Sequence, residues 1–227
     1  MRADQSSNGA GVYTQTNDPS GNQIIAYRRA ADGTLTQLGA HDTGGLGTGT
    51  PHLASQGSVV LSDDGRWLFA VNAGSDDLSI FAVAADGLAL VDRVEAGGVR
   101  PTSITAHHDL LYVLSSGDQD APASLHGFEL SDDGHITPLE GSRRQLSRPD
   151  ADPAQIGFSP DGRTLVVTER ATDSISSFVV GQDGSVEGPT VMASSGATPY
   201  GFDFTQAGVL MVTEAEPVID PPQSPAL

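Results

Sequence analysis

A four-strand unit recurs along this chain, and this recurrence constrains the fold more than any other feature of the sequence. Asp-Gly pairs stand in similar surroundings at Asp32, Asp86, Asp133 and Asp183, with spacings of 54, 47 and 50 residues. Asp-Gly between alternating apolar segments predicts a β-hairpin, because a type I′ turn needs φ > 0 at both central positions. The same hairpin is therefore predicted about every fifty residues.

A second series of turns interleaves with the first. LSDDGRWLFAVN and FSPDGRTLVVTE each contain an Asp-Gly pair, and TAHHDLLYVLS and FTQAGVLMVTE hold the same place in other units. Each unit thus has four strands joined by tight turns and one loop. In the clearest unit the strands are predicted at residues 156–159, 164–169, 174–180 and 185–192. Apolar runs such as LVV and LFAV favour strands that are covered on both faces.

These units predict an all-β fold, a β-propeller built from four-stranded antiparallel blades. The repeats account for about four and a half blades, so the propeller is expected to be incomplete. A β-sandwich is the alternative, but it does not explain why the same unit recurs. The predicted organisation is a disordered segment at 1–10, a partial propeller at 11–216 and a proline-rich tail at 217–227.

Composition excludes several classes of function. The chain has 29 acidic and 11 basic residues and a net charge of −18, and an acidic surface of this kind repels nucleic acids and anionic lipids. The acid excess favours solubility, and adaptation to high salt is the alternative reading. The absence of cysteine excludes disulfides and thiolate metal sites. The opening residues MRADQSSNGAG lack an apolar core, so we expect no secretory leader and a cytoplasmic location.

The blades FSPDGRTLVVTERATDSISSF and LSDDGRWLFAVNAGSDDLSIF resemble those of the lactonase family of seven-bladed propellers, which includes 6-phosphogluconolactonases and carboxymuconate cyclases. The resemblance covers about residues 11–216. It implies seven blades in the whole fold, a site at the central opening, and a small-molecule substrate that is a sugar-acid or carboxymuconate-type lactone. It implies no cofactor and no metal ion. A non-catalytic propeller that binds a small ligand or a protein on its loop face is the alternative, and open propeller edges suggest self-association.

The resemblance also implies a histidine, an arginine and a glutamate near the channel. The matching positions hold Ala154, Tyr200 and Glu214, so the glutamate alone is retained. Glu214 is therefore the predicted catalytic residue, and Glu169 joins it because VVTE and MVTE occupy equivalent places in adjacent units. The alternative for both is a strand-end acid that binds a neighbouring backbone N–H.

Prolines recur just before the inner strands, in VRPTSI, DPAQIG and TPYGF. In a propeller these segments line the mouth of the channel, so Arg100, Gln155 and Tyr200 are predicted to bind substrate. His52 is added because it lies in a glycine- and threonine-rich loop between blades, where ligands are often bound. The alternative is that proline merely stiffens the entry loops. No metal site is predicted, because His107 and His108 should point to opposite faces of a strand.

Overall fold

The computed structural model describes residues 11–51, 53–85 and 87–215. These residues form eighteen β-strands, and the described part of the chain contains no helix. It accordingly has no helix that is long and apolar enough to cross a membrane. The segment predicted to be disordered at 1–10 and the tail predicted at 217–227 lie outside the described residues.

The strands form five antiparallel sheets in chain order, which we number blades 1 to 5. Blade 1 contains β1 (Gly11–Gln15), β2 (Gln23–Arg29) and β3 (Leu35–Asp42). Blade 2 contains β4 (Val59–Leu61), β5 (Trp67–Asn72), β6 (Asp77–Ala84) and β7 (Gly87–Glu95). Blade 3 contains β8 (Pro101–His107), β9 (Leu110–Ser115), β10 (Ser124–Leu130), β11 (Ile136–Pro138) and β12 (Arg144–Gln145). Blade 4 contains β13 (Pro153–Phe158), β14 (Thr164–Glu169), β15 (Ser174–Val180) and β16 (Val186–Ala193). Blade 5 contains β17 (Pro199–Phe204) and β18 (Leu210–Glu214).

This arrangement confirms the all-β propeller with four-stranded blades. In blade 4 the second and third strands have the predicted bounds, and the first strand begins earlier, at Pro153. Within each blade, consecutive strands pair as antiparallel neighbours. The inner strands β4, β8, β13 and β17 lie side by side from blade to blade. The segments that enter these strands therefore lie at one end of the fold, which we call the channel mouth by analogy with a complete propeller.

The predicted turn type is wrong, although the hairpins themselves are present. In the hairpin that contains Asp32, Gly33 has φ of 88° while the aspartate has no positive φ. Gly33 donates to the Ala30 carbonyl at 3.0 Å, and Ala30 donates to the Thr34 carbonyl at 2.8 Å. This pattern is a three-residue hairpin loop with glycine at its left-handed position. The aspartate serves another purpose, since its carboxylate accepts the Thr34 N–H at 2.9 Å.

The core consists of apolar layers between successive blades. All six residues of β5 are buried, because one face of the strand packs towards blade 1 and the other towards blade 3. Another cluster joins blades 3 and 4, where Tyr112, Leu165 and Phe178 are almost fully buried. Two-sided burial explains why the central strands are nearly continuous apolar runs. Rigid stacking of the blades fixes the relative positions of the loops at the channel mouth.

Candidate functional site

The connection from blade 1 to blade 2 crosses the inner strands at the channel mouth. The Ser55 hydroxyl donates to the Thr102 carbonyl at 2.6 Å, and the Gln56 N–H donates to the Ala154 carbonyl at 3.0 Å. Gly57 accepts the Ile104 N–H at 2.9 Å. The segment therefore binds the inner strands of blades 3 and 4 in succession. His52 belongs to this connection but lies outside the described residues.

A cavity of about 600 Å³ opens between this connection and the loops of blades 3 and 4. Thr50, Leu53 and Ala54 form its wall on the side of the connection. The opposite walls carry arginines, carboxylates, hydroxyls and an amide: Arg100, Arg170, Asp118, Asp150, Asp152, Thr102, Ser116 and Gln119. Side chains of these types can bind both the carboxylate and the hydroxyl groups of a small polar ligand. We call this space the mouth cavity.

Arg100 contributes the cationic group of the mouth cavity with the fewest partners. Its side chain makes no ion pair or hydrogen bond within the described part of the chain. Its backbone has φ of 54°, in the left-handed region, and Pro101 follows it. Residues before proline favour extended conformations, so this geometry must be held by neighbouring contacts. Arg100, which the sequence predicts to bind substrate, therefore lies at a cavity that could hold a ligand.

Arg170 is the second arginine of the mouth cavity, and it is already engaged. Its guanidinium forms an ion pair with Asp152 and lies 5.7 Å from the centroid of the Tyr200 ring. The Arg170 Nε atom is buried and has no hydrogen-bond partner among the described residues. Tyr200 thus reaches the cavity through Arg170, on which its ring packs as a cation–π partner.

Gln155 faces the neighbouring blade, and its amide group pairs with backbone. Its Nε2 donates to the Phe202 carbonyl at 2.9 Å, and its Oε1 accepts the Phe202 N–H at 2.9 Å. The Gln155 amide therefore pairs with the Phe202 backbone of β17 as the peptide group of a neighbouring strand would. Gln155 is not among the residues that line the mouth cavity.

Glu169 lies at the end of β14 and is fully buried, with 0% of its surface exposed. Its carboxylate accepts the Ser147 N–H at 3.2 Å, the Thr172 hydroxyl at 3.2 Å and the Ser176 hydroxyl at 2.5 Å. The Ser147 hydroxyl is a fourth donor. Ser147 belongs to the connection from blade 3, so the carboxylate ties that connection to blade 4.

Glu214 holds the equivalent position in blade 5 and makes equivalent contacts. It accepts the Ser194 hydroxyl at 2.6 Å and the Gly196 N–H at 2.7 Å, both from the connection that leaves blade 4. These two bonds lower the pKa of Glu214 below the usual value, the Ser194 bond more than the Gly196 bond. Unlike Glu169, Glu214 is exposed. Neither glutamate lines the mouth cavity.

The same position in blade 2 is also polar and also holds a connection. In blade 2 it is Asn72, whose Nδ2 donates to Asp77 at 2.6 Å and to Ser79 at 2.8 Å. Ser79 in turn donates to the Thr43 carbonyl in the connection from blade 1 at 2.8 Å. In each of these blades a polar residue at the end of the second strand fixes the preceding connection.

A second cavity, of about 250 Å³, lies at the hairpin-turn end of the blades. Its acidic residues include Asp63 and Asp64. Asp64 is bonded within its own turn to Ser62 and Arg66, and its pKa lies below the usual value, first because of the Arg66 N–H. No group of three or more potential metal ligands occurs among the described residues. Turn formation therefore explains why acidic residues such as Asp64 occur at this end of the fold.

The mouth cavity brings together only part of what the sequence singled out. Arg100 lines it, Tyr200 adjoins it through Arg170, and Gln155 and the two glutamates lie outside its lining. Sequence reasoning missed Arg170, Asp118 and Asp150 as cavity residues. Their positions in the repeat could have indicated them, because Asp118 lies in the loop between β9 and β10 and Arg170 follows the end of β14.

The sequence matches the family described as "Lactonase, 7-bladed beta-propeller" over residues 7–144 and 126–216. The chain belongs to the lactonase family. A curated relative is an uncharacterized protein of Staphylococcus saprophyticus, 26% identical over 156 residues, which are 66% of this chain and 44% of that protein. This lactonase-family chain therefore spans less than half the length of that relative.

Solved structures support the same fold. A Lactobacillus plantarum protein superposes with a TM-score of 0.73 and 20% identity, over 90% of this chain and 60% of that one. The structure of a periplasmic gluconolactonase from Pseudomonas aeruginosa superposes with a TM-score of 0.64 and 21% identity, over 89% and 59% of the two chains. At these identities the likeness establishes the lactonase-family fold alone.

Proposed function

We propose that this lactonase-family propeller binds a sugar acid or its lactone in the mouth cavity and hydrolyses the lactone. The observation that carries the proposal is Arg100, an exposed residue that lines a cavity of about 600 Å³ and whose side chain has no ion-pair partner in the described residues. A carboxylate is the natural partner of such a group. Asp118 and Gln119, both exposed, then offer acceptors and donors for sugar hydroxyls.

Lactone hydrolysis requires a water molecule that attacks the carbonyl carbon and a group that stabilises the oxyanion. We assign the oxyanion to Arg100. Asp118 is our first candidate to orient the water, because both of its hydrogen bonds, from the backbone N–H groups of Asp120 and Ala121 at 2.9 Å, go to Oδ1. Its Oδ2 has no hydrogen bond within the described residues and can accept one from water.

Glu214 remains the rival base, since it matches the family pattern. Its lowered pKa keeps it ionised at neutral pH but also makes it a weaker base. The structure of a candidate 6-phosphogluconolactonase from Bacteroides fragilis superposes with a TM-score of 0.68 and 19% identity, over 85% of this chain and 57% of that one. Together with the gluconolactonase above, it supports a sugar-acid lactone as the substrate class.

Ligand binding without turnover is the second candidate function. It is favoured because Glu169 and Glu214 use their carboxylates to hold the connections between blades. In this case the cavity would bind a sugar acid or a similar small ligand and leave a lactone intact. The two functions share Arg100 and differ in the water-orienting group.

Hydrolysis of glucono-δ-lactone and its 6-phosphate, followed by pH-stat against the spontaneous rate, tests the proposal. We expect R100A to lower kcat and to weaken binding of D-gluconate, measured by calorimetry, by about tenfold or more. D118N should lower kcat and leave gluconate binding nearly unchanged, whereas E214Q should retain activity. A wild-type rate equal to the spontaneous one, with gluconate still bound, would establish the binding function. Absence of gluconate binding would refute both.

A further inference from the structure

Asp76 holds the backbone of Arg100 from the neighbouring blade. Its carboxylate Oδ1 accepts the Arg100 N–H at 2.6 Å, and its own carbonyl accepts the Ala96 N–H at 2.9 Å. Asp76 lies in the turn between β5 and β6 of blade 2, whereas Arg100 immediately precedes β8 of blade 3. One aspartate therefore binds both ends of the short connection that carries Arg100 to the mouth cavity.

The other side of Arg100 is held equally closely. Its carbonyl accepts the Ser116 N–H at 3.0 Å and the Ser116 hydroxyl at 3.2 Å. With the Asp76 bond, these contacts fix both peptide groups of a residue whose φ is 54°. Such a conformation places the side chain in a different direction from the extended conformation that proline favours for its predecessor.

The same clamp occurs once more among the described residues, where it serves a different residue. The Asp173 carboxylate accepts the Thr198 N–H at 2.7 Å, its carbonyl accepts the Ser194 N–H at 2.8 Å, and Thr198 has φ of 55° before Pro199. Thr198 does not line the mouth cavity. The clamp is thus a repeated element of the fold, and at blade 3 it presents an arginine to the cavity.

We propose that Asp76 is a positioning residue that fixes the left-handed backbone of Arg100 and so directs the guanidinium into the mouth cavity. Asp76 is not itself a lining residue of that cavity, so it acts through Arg100. The consequence for ligand binding rests on the proposed function, while the effect on Arg100 does not. Separate measurements can therefore address the two.

The first measurement needs no ligand. Backbone amide exchange and the side-chain ¹⁵Nε heteronuclear NOE of Arg100, assigned by comparison with R100K, are recorded in the wild type and in D76A, D76N and D173A. D76A should speed exchange of the Arg100 amide by about tenfold or more and lower its side-chain NOE. D173A should do this for the Thr198 amide alone. D76N, which keeps an acceptor, should restore most of the protection.

The second measurement is the Kd for D-gluconate by calorimetry in the same four proteins. We expect D76A to weaken binding by about tenfold and D173A to change it less than twofold, although the two variants lose the same kind of bond. An Arg100 amide and side chain unchanged in D76A would overturn the positioning role. Equal effects of D76A and D173A on Kd would also overturn it. If wild-type protein does not bind gluconate, the proposed function fails, and the Arg100 side-chain NOE alone decides the inference.

Discussion

Substitution of Glu169 by alanine is predicted to destabilise the fold strongly, because it removes the acceptor for four donors. The carboxylate is fully buried and accepts from Ser147, Thr172 and Ser176. A hydrogen bond to a charged group contributes about 1.5–3 kcal/mol, and a buried donor that loses its acceptor keeps its desolvation cost. The Ser176 hydroxyl is fully buried and the other donors are partly buried, so we expect E169A to lose about 3–5 kcal/mol of unfolding free energy.

Glutamine at the same position separates the contribution of the carboxylate charge to stability from that of the side-chain volume. E169Q keeps the volume and one acceptor oxygen, but its NH₂ group faces donors where the second oxygen stood. We expect E169Q to lose about 1–2 kcal/mol, less than E169A. E214A is the matched control, since Glu214 occupies the same place in the next blade but is exposed. Its unfolding free energy should fall much less than that of E169A.

Urea unfolding followed by circular dichroism and by the fluorescence of Trp67 measures these differences. Trp67 is the only tryptophan of the chain and is 8% exposed, so its emission reports the loss of blade packing. Coincident transitions by the two probes would justify a two-state free energy. If E169A and E214A proved equally stable, the assignment of Glu169 as a buried anchor of the connection would be refuted.

Two further predictions concern titratable groups in blade 3, the partly buried His126 and the fully buried Tyr112. Burial, and secondarily Arg143, lowers the pKa of His126 from 6.5 to about 4, so the unfolded chain takes up a proton before the folded one. Stability should therefore fall as pH drops from 6.5 to 4, by about 2 kcal/mol after allowance for partial exposure, and H126Q should lose this slope in melting temperature against pH. Burial raises the pKa of Tyr112 to about 12, and its hydroxyl donates to the Gly184 carbonyl. Y112F should cost about 1–2 kcal/mol in urea unfolding, and a variant as stable as wild type would contradict that bond.

The blades were predictable from the sequence because their signals are local. Alternating apolar residues and turn glycines lie within a few positions of one another, so β14 and β15 were bounded correctly. The turn type was wrong for a related reason. Asp-Gly fits more than one hairpin loop, and the choice depends on the register of the flanking strands, as at Ala30 and Thr34.

The site was less predictable because its contacts join distant positions. Arg170 takes its ion-pair partner 18 residues earlier in the chain, and Gln155 binds backbone 47 residues later. Local preference also misleads at the mouth, since Arg100, Asp152 and Thr198 all precede proline and yet have φ of 54°, 49° and 55°. At Arg100 and Thr198, a bond from the carboxylate of the preceding blade overrides that preference. Only the packed blades show which of these residues faces a cavity.

Glu214 matches the family pattern, but the repeat weakens any inference from this match to a catalytic role. Glu169 occupies the same position one blade earlier and also binds the connection that precedes its blade. In blade 2 the position holds Asn72, which reaches its connection through Ser79. At 169 and 214 the carboxylate accepts backbone and hydroxyl donors of the connection directly, whereas in blade 2 the contact with the connection runs through Ser79. Glutamate at 214 therefore has a structural reason to be present whether or not the protein turns over a lactone. Arg100 carries more information about catalysis, because its side chain has no structural partner in the described residues.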